Sequence, residues 1–529
     1  MLMWKPLDIA ACALASLGLL VAACGDSGST TAATDGGSAS STGPGPGSSS
    51  SGAMPTTTPD ETGTPTGGDS QGQSSSGEPG TDGPVTSSTS TTGDTSTGAV
   101  ISSSETGGVK FDIGNGGETT EGTTGVIVPG PGSCRPSEIY GASGGFPAFT
   151  DPAFANFLEK KILVMTTNAQ EDNFVLHILD ISGKPPPPNL NYLAPRYHDP
   201  AWTKPNLGQL FGLTLDSDGN IYVAATTVYG ANPAPNTIKK IDGKTGKISV
   251  FATLPNNGPA FGNINYDCVS ETLYASNHED GRIYQIDMTG TVVSTYHHAT
   301  GTITMGLAND PGEPNGAFAP LGSRPWAVQS HAGRLYYSIW WEDSGRQDAA
   351  HSNEIWSVEY SDMLGVPNPA TKKLEISVPG LNNATYSNPV SDISFAATGW
   401  MLISERTMLQ DTQTLAHQST TYEYDYDGMN KVWNLKGTTF VVGELPNSAA
   451  GGVDHDFDEG GYVWMSGDAL DFYTPNVVYG VQGTPHAGGD ITNSTLIDLD
   501  GEIVNQDKTA LGDVEIPIPG DADPVPPPT

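Results

Sequence analysis

The feature that most constrains the fold is a unit of two short strands, which occurs five times between residues 211 and 464. Each copy has an alternating apolar strand, a polar turn that contains Gly in most copies, and a strand rich in aromatic and β-branched residues. The copies start at intervals of about 50 to 65 residues, which leaves room for two further strands in each unit. They cover residues 211–223, 262–276, 326–338, 391–403 and 453–464.

Tandem units of this length with four strands each are typical of a β-propeller. Third and fourth strands are visible at residues 237–251 and 282–293. A sixth unit is incomplete, because residues 161–165 and 174–179 have no inner strand before them, and we expect residues 511–516 to supply it. Pairing the two ends leaves no open sheet edge. The sequence therefore predicts an all-β, six-bladed propeller closed by its termini, with seven blades as the alternative.

Composition divides the chain into four parts. Residues 25 to about 107 are mostly Ser, Thr, Gly and Pro, with few aliphatic or aromatic side chains. Such a segment cannot bury enough apolar surface to offset its conformational entropy, so it is expected to be disordered. We therefore predict a signal peptide at 1–23, a disordered linker at 24–130, the propeller at 131–517 and a Pro-rich disordered tail at 518–529.

The N-terminus is typical of a bacterial lipoprotein signal. Lys5 precedes an apolar run from Ile9 to Val21, and small residues lead to Cys24. In this pattern the Cys is acylated and becomes the mature N-terminus. The run of about 13 residues is shorter than the ~20 needed to span a bilayer, although a single membrane anchor or an ordinary secretory signal remains the alternative. By resemblance to the sorting of Gram-negative lipoproteins, Gly25 after Cys24 favours the outer membrane, so we expect a lipid-anchored protein of the cell envelope, at the outer membrane or cell surface.

Charge limits the class of partner. The chain has 59 acidic and 22 basic residues, and a formal net charge of −37. Nucleic acids and anionic lipid surfaces require clustered Lys and Arg, so binding to either is not expected. The charge favours solubility and could attract divalent cations. The folded head is expected to be monomeric.

The four cysteines predict at most one disulfide. Cys12 lies in the signal and Cys24 would carry the lipid, which leaves Cys134 and Cys268 in an oxidising compartment. A bond between them is possible, and two free thiols are the alternative. Their spacing does not suggest a zinc site.

Three short segments resemble those of a known family. Residues 219–226, 281–287 and 324–328 resemble six-bladed propellers of the NHL-repeat and gluconolactonase (senescence marker protein) superfamily. Residues 192–229 and 510–515 are also similar to propeller heads of bacterial cell-surface proteins. The resemblance covers the whole predicted head and specifies a scaffold, since propellers host binding, adhesion, lyase and hydrolase functions alike.

Polar residues at equivalent positions of the predicted inner strands are candidate metal ligands. Oxygen ligands from separate strands suit Ca²⁺ or another divalent cation, and the resemblance implies such an ion near the channel mouth. The family's ligand pattern of Glu, Asn, Asn and Asp is not clearly reproduced. The alternative is that these side chains bond water or neighbouring backbone. The candidate ligands are Asn263, Asp392, Asp454 and Asp513, with Gly212 at the corresponding position of another blade.

Other motifs favour structural roles. His455 lies between two Asp residues, but strand alternation places it on the opposite face from them, which favours packing over catalysis. Residues 141–145 match the sequence pattern of a nucleophile elbow, but they lack the flanking strand and helix of that motif and are expected to form a loop. Residues 243–245 fit a hairpin turn better than a phosphate loop. Core packing is also favoured for five tryptophans: Trp202, Trp326, Trp340, Trp341 and Trp356.

The function expected from these features is binding or adhesion without catalysis, and no residue is predicted to be catalytic. The long segments 184–209 and 300–325, which connect blades, are the candidate surfaces for an unidentified protein or carbohydrate partner. The alternative is a metal-dependent lactonase or related ester hydrolase of the gluconolactonase type. That enzyme would use Asn263, Asp392 and Asp454 as ligands.

Overall fold

The computed structural model describes residues 145–158, 160–168, 173–341, 351–379, 386–396, 399–456, 461–472, 477–499 and 508–517. The predicted signal, the lipidation site Cys24, the linker, Cys134, residues 141–144 and the tail from 518 lie outside the described residues. Among the described residues, no helix is both long and apolar enough to cross a membrane.

The first three sheets are antiparallel and each begins with its innermost strand. Blade 1 contains β28 (Ala510–Glu515), β1 (Ile162–Asn168), β2 (Leu176–Asp180) and β4 (Arg196–Tyr197). Blade 2 contains β5 (Leu210–Leu215), β6 (Ile221–Ala225), β7 (Thr237–Ile241) and β8 (Ile248–Thr253). Blade 3 contains β9 (Phe261–Asp267), β10 (Thr272–Asn277), β11 (Arg282–Asp287), β12 (Val292–His297) and β13 (Thr302–Met305).

The remaining three sheets repeat this plan, except that the outermost strand of blade 6 pairs in parallel. Blade 4 contains β14 (Arg324–His331), β15 (Arg334–Trp340), β16 (Glu354–Glu359) and β17 (Lys373–Ser377). Blade 5 contains β18 (Val390–Phe395), β19 (Met401–Glu405), β22 (Thr421–Asp427) and β23 (Val432–Leu435). Blade 6 contains β24 (Ala449–His455), β25 (Tyr462–Gly467), β26 (Gly480–Pro485), β27 (Thr495–Asp498) and β3 (Asn189–Tyr192).

Few elements lie outside the six blades. A separate hairpin pairs β20 (Met408–Gln410) with β21 (Gln413–Thr414). The described helices are short: α1 (Lys204–Leu207) and three 3₁₀ turns, Pro152–Phe154, Pro369–Thr371 and Ile491–Asn493.

The inner strands form a closed ring. Neighbouring inner strands contact one another in the order β28, β5, β9, β14, β18, β24 and back to β28. The predicted closure is confirmed, because β28 pairs antiparallel with β1 and places Val514 opposite Met165. The six-blade prediction is therefore confirmed, and the seven-blade alternative is wrong.

A second set of contacts joins blade 1 to blade 6. Strand β3, from the segment between β2 and β4 of blade 1, adds to the outer edge of blade 6 by parallel pairing with β27. Arg196 donates to the carbonyl of Leu499, and Asn191 Nδ2 donates to Asp498 Oδ2 at 3.1 Å. Much of segment 184–209, expected to be a binding loop, is therefore bound within the fold as β3, β4 and α1.

Hydroxyl groups link each blade to the next around the axis. The register of every inner strand shifts against the second strand, and a Ser or Thr of the second strand stands opposite that shift in blades 1, 3, 4 and 6. In blade 4, Ser338 Oγ accepts the N–H of Ala327 at 2.8 Å and donates to the carbonyl of Val390 in blade 5 at 2.7 Å. The bulge leaves backbone groups unpaired in the ladder, and in these four blades the hydroxyl accepts one of the unpaired N–H groups. Thr166, Ser276 and Ser466 make the same pair of bonds.

Aromatic side chains fill the spaces between blades. Trp202 is fully buried between blades 1 and 2, and its Nε1 donates to the carbonyl of Gly246 at 3.1 Å. Trp326 and Trp340 are also buried, which confirms the core prediction for these three. Trp341 and Trp356 are half-buried.

Ser338→Ala tests the hydroxyl link. The substitution leaves the N–H of Ala327 and the carbonyl of Val390 buried without their partner, which should lower the free energy of unfolding by about 1–3 kcal/mol. Urea denaturation followed by tryptophan fluorescence measures the change. The exposed Ser249→Ala in blade 2 is the control, with an expected change within about 0.5 kcal/mol. Equal effects of the two substitutions would contradict the structural role of the hydroxyl.

Candidate functional site

Three polar side chains from alternate blades meet at the middle of the axis. The register shifts make Asn263 of blade 3, Asp392 of blade 5 and Asp513 of blade 1 equivalent. Blades 2, 4 and 6 place the small residues Gly212, Ala327 and Gly452 at this level. The predicted equivalence of Gly212, Asn263, Asp392 and Asp513 is confirmed.

Asp454 was wrongly aligned with this level. Val453 pairs with Met465 as Ile393 pairs with Ile403, so Gly452 is the counterpart of Asp392. Asp454 lies two residues further along the strand, level with Ser394. Val453 and Met465 are 12 residues apart, whereas Ile393 and Ile403 are 10 apart, so a count back from the second strand is displaced by two residues.

The axial residues bind one another and the surrounding backbone. Asn263 Nδ2 donates to Asp392 Oδ1 at 3.2 Å, and the carboxyl groups of Asp392 and Asp513 share a hydrogen bond. Asp392 Oδ2 accepts the N–H of Val453 at 2.8 Å, and Asp513 Oδ2 accepts the N–H of Leu213 at 3.2 Å. The cluster therefore joins five of the six inner strands.

Burial favours the protonated form of these carboxyl groups. Asp513 is 1% exposed and Asp392 is 7% exposed. Burial raises the pKa of Asp392 to about 6, and burial together with the neighbouring Asp392 raises the pKa of Asp513 well above its ordinary value. Two buried carboxylates in contact cannot both ionise easily, so they share a proton.

This donor set fits a metal ion poorly. The oxygen atoms of Asp392 and Asp513 all accept backbone N–H groups, and Asn263 Oδ1 accepts the N–H of Ile264 at 2.7 Å. Among the described residues, no group of three or more His, Cys, Asp or Glu is placed to hold a metal ion. A cation would have to replace the shared proton and several of these bonds. The predicted divalent cation stays a prediction.

A second polar layer lies next to the first. Asp454 Oδ1 accepts the hydroxyl of Ser394 at 2.7 Å, and its Oδ2 accepts the N–H of Ile516 at 2.7 Å. Burial raises the pKa of Asp454 to about 7. Burial also lowers the pKa of His455 well below its ordinary value, so this ring is neutral and a weak general base. Its burial agrees with the predicted packing role.

Aromatic side chains fill the axis beside the other end of the inner strands. Phe211 and Trp326 meet edge to face with ring centroids 5.4 Å apart, and Met408 packs in the same cluster. The ring of His278 lies 5.1 Å from that of Trp326. In the described structure, neither ring nitrogen of His278 nor Nε1 of Trp326 has a hydrogen-bond partner. Sequence reasoning missed this cluster, because its members come from three blades and share no motif.

An open cavity of about 120 Å³ lies at the edge of blade 3. Segment 300–325, a predicted binding loop, forms one side of it, and the start of β11 forms the other. Its lining residues are Pro255, Glu279, Asp280, Arg282, Tyr284, Ala308, Asn309, Asp310, Glu313 and Pro314.

Acidic groups dominate this cavity. Its lining has four carboxyl groups and one guanidinium, and that guanidinium, of Arg282, pairs with Asp310. The buried Glu279 is fixed by N–H groups of Asn257, Gly258 and Gly316. Asp280 accepts the hydroxyl of Tyr284, and burial raises the Asp280 pKa to about 6. The cavity is negatively charged at neutral pH.

Cys268 is disulfide-bonded. Its partner lies outside the described residues, so pairing with Cys134 stays a prediction.

Comparison with known proteins finds similarity in solved structures only. No family model matches the chain, and no curated protein matches it. The periplasmic gluconolactonase of Pseudomonas aeruginosa has 11% identity and a TM-score of 0.39, over 68% of this chain and 99% of that chain. A gluconolactonase from Xanthomonas campestris has 11% identity and a TM-score of 0.30, over 59% and 76%. A nidogen/laminin complex has 13% identity and a TM-score of 0.34, over 68% and 98%.

The protonated carboxyl groups predict a pH effect on stability. The raised pKa of Asp454 means that the native state binds this proton more tightly than the unfolded chain, so its contribution is lost as pH rises from about 4 towards 7. Asp454→Asn should flatten this decline by up to about 1.4 kcal/mol per pH unit. Urea denaturation between pH 5 and 8 measures the slope. The exposed Asp218→Asn is the control, and a slope unchanged in Asp454→Asn would refute the assignment.

Proposed function

We propose that the chain is a cell-envelope lipoprotein, anchored through Cys24, whose propeller head binds a cationic group of a partner in the cavity of blade 3. The observation that carries this proposal is the acidic lining of that cavity. Under this proposal, the linker 24–130 tethers the head, and the segment 300–325 forms part of the recognition surface.

The charges of the cavity favour a cation. Among the residues that line the cavity, Arg282 is the only basic one, and it already pairs with Asp310. The carboxyl groups of Asp280 and Glu313 therefore face no other positive charge in the lining. A carboxylate held close to low-dielectric protein attracts a cation more strongly than one in open water. The formal net charge of −37 adds a long-range attraction for the same class of partner.

The volume limits the group that can enter. A cavity of about 120 Å³ is slightly smaller than the ~150 Å³ engineered cavity that holds benzene. It suits one alkylammonium arm, such as a lysine side chain exposed on a partner protein. Glu279, bonded to three backbone N–H groups, would form a rigid wall of such a site.

Binding of 1,5-diaminopentane, a mimic of a lysine side chain, tests this proposal. Isothermal titration calorimetry on the complete propeller should detect binding, and Asp280→Asn and Glu313→Gln should each weaken it about fivefold or more. Because the Asp280 pKa is about 6, binding should strengthen between pH 5 and 7. The exposed Glu271→Gln should bind as the wild type does. Equal affinity in all four proteins, or none in the wild type, would overturn the cavity assignment.

The second candidate is a divalent-metal-dependent lactonase. The observation that favours it is the convergence of Asn263, Asp392 and Asp513 on the axis. These three residues would have to hold the ion, which would polarise a substrate carbonyl when bound. The side-chain oxygens of these three residues already accept backbone N–H groups, which weighs against this candidate.

Metal analysis of the purified protein separates the two candidates. If the axial cluster binds metal, the wild type should contain about one equivalent of a divalent ion after dialysis against Ca²⁺. Asp392→Ala should lose that ion together with any hydrolysis in a screen of lactones and esters. We expect no retained ion, because the carboxyl groups share a proton instead. Stoichiometric metal with turnover would favour the lactonase.

A further inference from the structure

The hairpin of β20 and β21 lies against the aromatic end of the axis. It is inserted between β19 and β22 of blade 5, and its first residue, Met408, is buried in the cluster of Phe211 and Trp326. Asp411 in its turn accepts a hydrogen bond from Arg324 Nη1 at 2.7 Å. The Asp411 side chain is 28% exposed, whereas that of Arg324 is 3% exposed. One side of this ion pair is therefore accessible from solvent.

Arg324 is held rigidly for this contact. Its Nε donates to the carbonyl of Ala319 at 2.9 Å. Its guanidinium lies over the rings of Phe318 and Trp340, at 4.8 and 4.7 Å from their centroids. A planar guanidinium fixed in this way presents its N–H groups to a carboxylate in one orientation. The recognition geometry therefore exists independently of the hairpin that now occupies it.

Unused hydrogen-bonding groups lie beside this ion pair. His278 and Trp326 are fully buried, and the described structure supplies no partner to three of their nitrogen atoms. Burial and the nearby Arg324 lower the pKa of His278 to about 3, so its ring is neutral and offers one donor and one acceptor. Trp326 Nε1 offers a donor only. Buried polar groups without partners are rare in native proteins and often mark an absent ligand.

We propose that Arg324, Trp326 and His278 form a binding site for an organic carboxylate, and that the Asp411 side chain occupies its carboxylate position in this structure. A ligand carboxylate would replace Asp411 on Arg324, and the hairpin would move away from the axis. The apolar part of the ligand would pack against Phe318 and Trp340, and an acceptor on it would receive the indole N–H. This site does not depend on the cationic-group cavity, from which it differs in charge.

The exchange is physically reasonable because the two carboxylates compete for one guanidinium. Only Asp411 is partly exposed, so a ligand carboxylate can take its place while the buried Arg324 keeps a charged partner. The described hairpin is short, and the side chains of Gln410, Thr412 and Gln413 are exposed at its turn. A ligand that also satisfies His278 and Trp326 would form bonds that Asp411 does not.

Benzoate is a suitable probe, because it joins a carboxylate to one apolar ring. Calorimetric titration should show that Asp411→Asn binds benzoate at least tenfold more tightly than the wild type, because the internal competitor is lost. In that background, Trp326→Phe should weaken binding several-fold, since it removes the indole N–H and keeps a ring. The exposed Asp218→Asn should bind as the wild type does, and benzamide, which is uncharged, should bind to none of these proteins.

Hydrogen exchange of the wild type provides a measurement that needs no substitution. Saturating benzoate should accelerate amide exchange in residues 408–414 and leave the inner strands unchanged. Equal benzoate affinity in Asp411→Asn and the wild type would overturn the proposal, as would undetectable binding in both. If Asp411→Asn does not fold, unchanged exchange of the hairpin in the wild type would overturn it instead.

Discussion

Pairing between the two ends of the folded region is the interaction on which the rest of the structure depends. β28 supplies the inner strand of a blade whose other strands come from the beginning of the fold. It also contributes Asp513 to the axial cluster and Gly512 to the hydroxyl link from blade 6. Without β28, blades 1 and 6 would lose their contact at the axis and the ring would have two open edges.

Local patterning predicted the blades, but contacts between blades were largely invisible in the sequence. Alternating strands and Gly-containing turns located the inner and second strands of every blade, and residues 511–516 matched the register of 390–395 closely enough to place the closing strand. Strand β3 was not predicted, because its segment is rich in Pro and because it pairs in parallel with β27, some 300 residues away. Such pairing leaves no local signal.

The candidate sites show the same limit. Asn263, Asp392 and Asp513 could be aligned because each lies two residues after an apolar residue, whereas the longer connection between β24 and β25 displaced Asp454. The hydrogen bonds of the cluster could not be predicted, and they make it a poor metal site, since the oxygens predicted as ligands accept backbone N–H groups. The contact between Arg324 and Asp411 joins two blades, and the acidic cavity of blade 3 combines three separate segments. Neither arrangement has a spacing that a sequence pattern can reveal.

The position of the closing strand sets the order in which the molecule can be completed. Residues 510–515 leave the ribosome, and any export channel, after all the other strands. Until then β1 has no partner on its axial side, and blades 2 to 6 form an open arc. The native ring therefore cannot close before residues 510–515 are available, and an unpaired β1 edge must be kept from other chains during that interval. A nascent molecule that stops before residue 510 would carry nearly every blade and still lack the native fold.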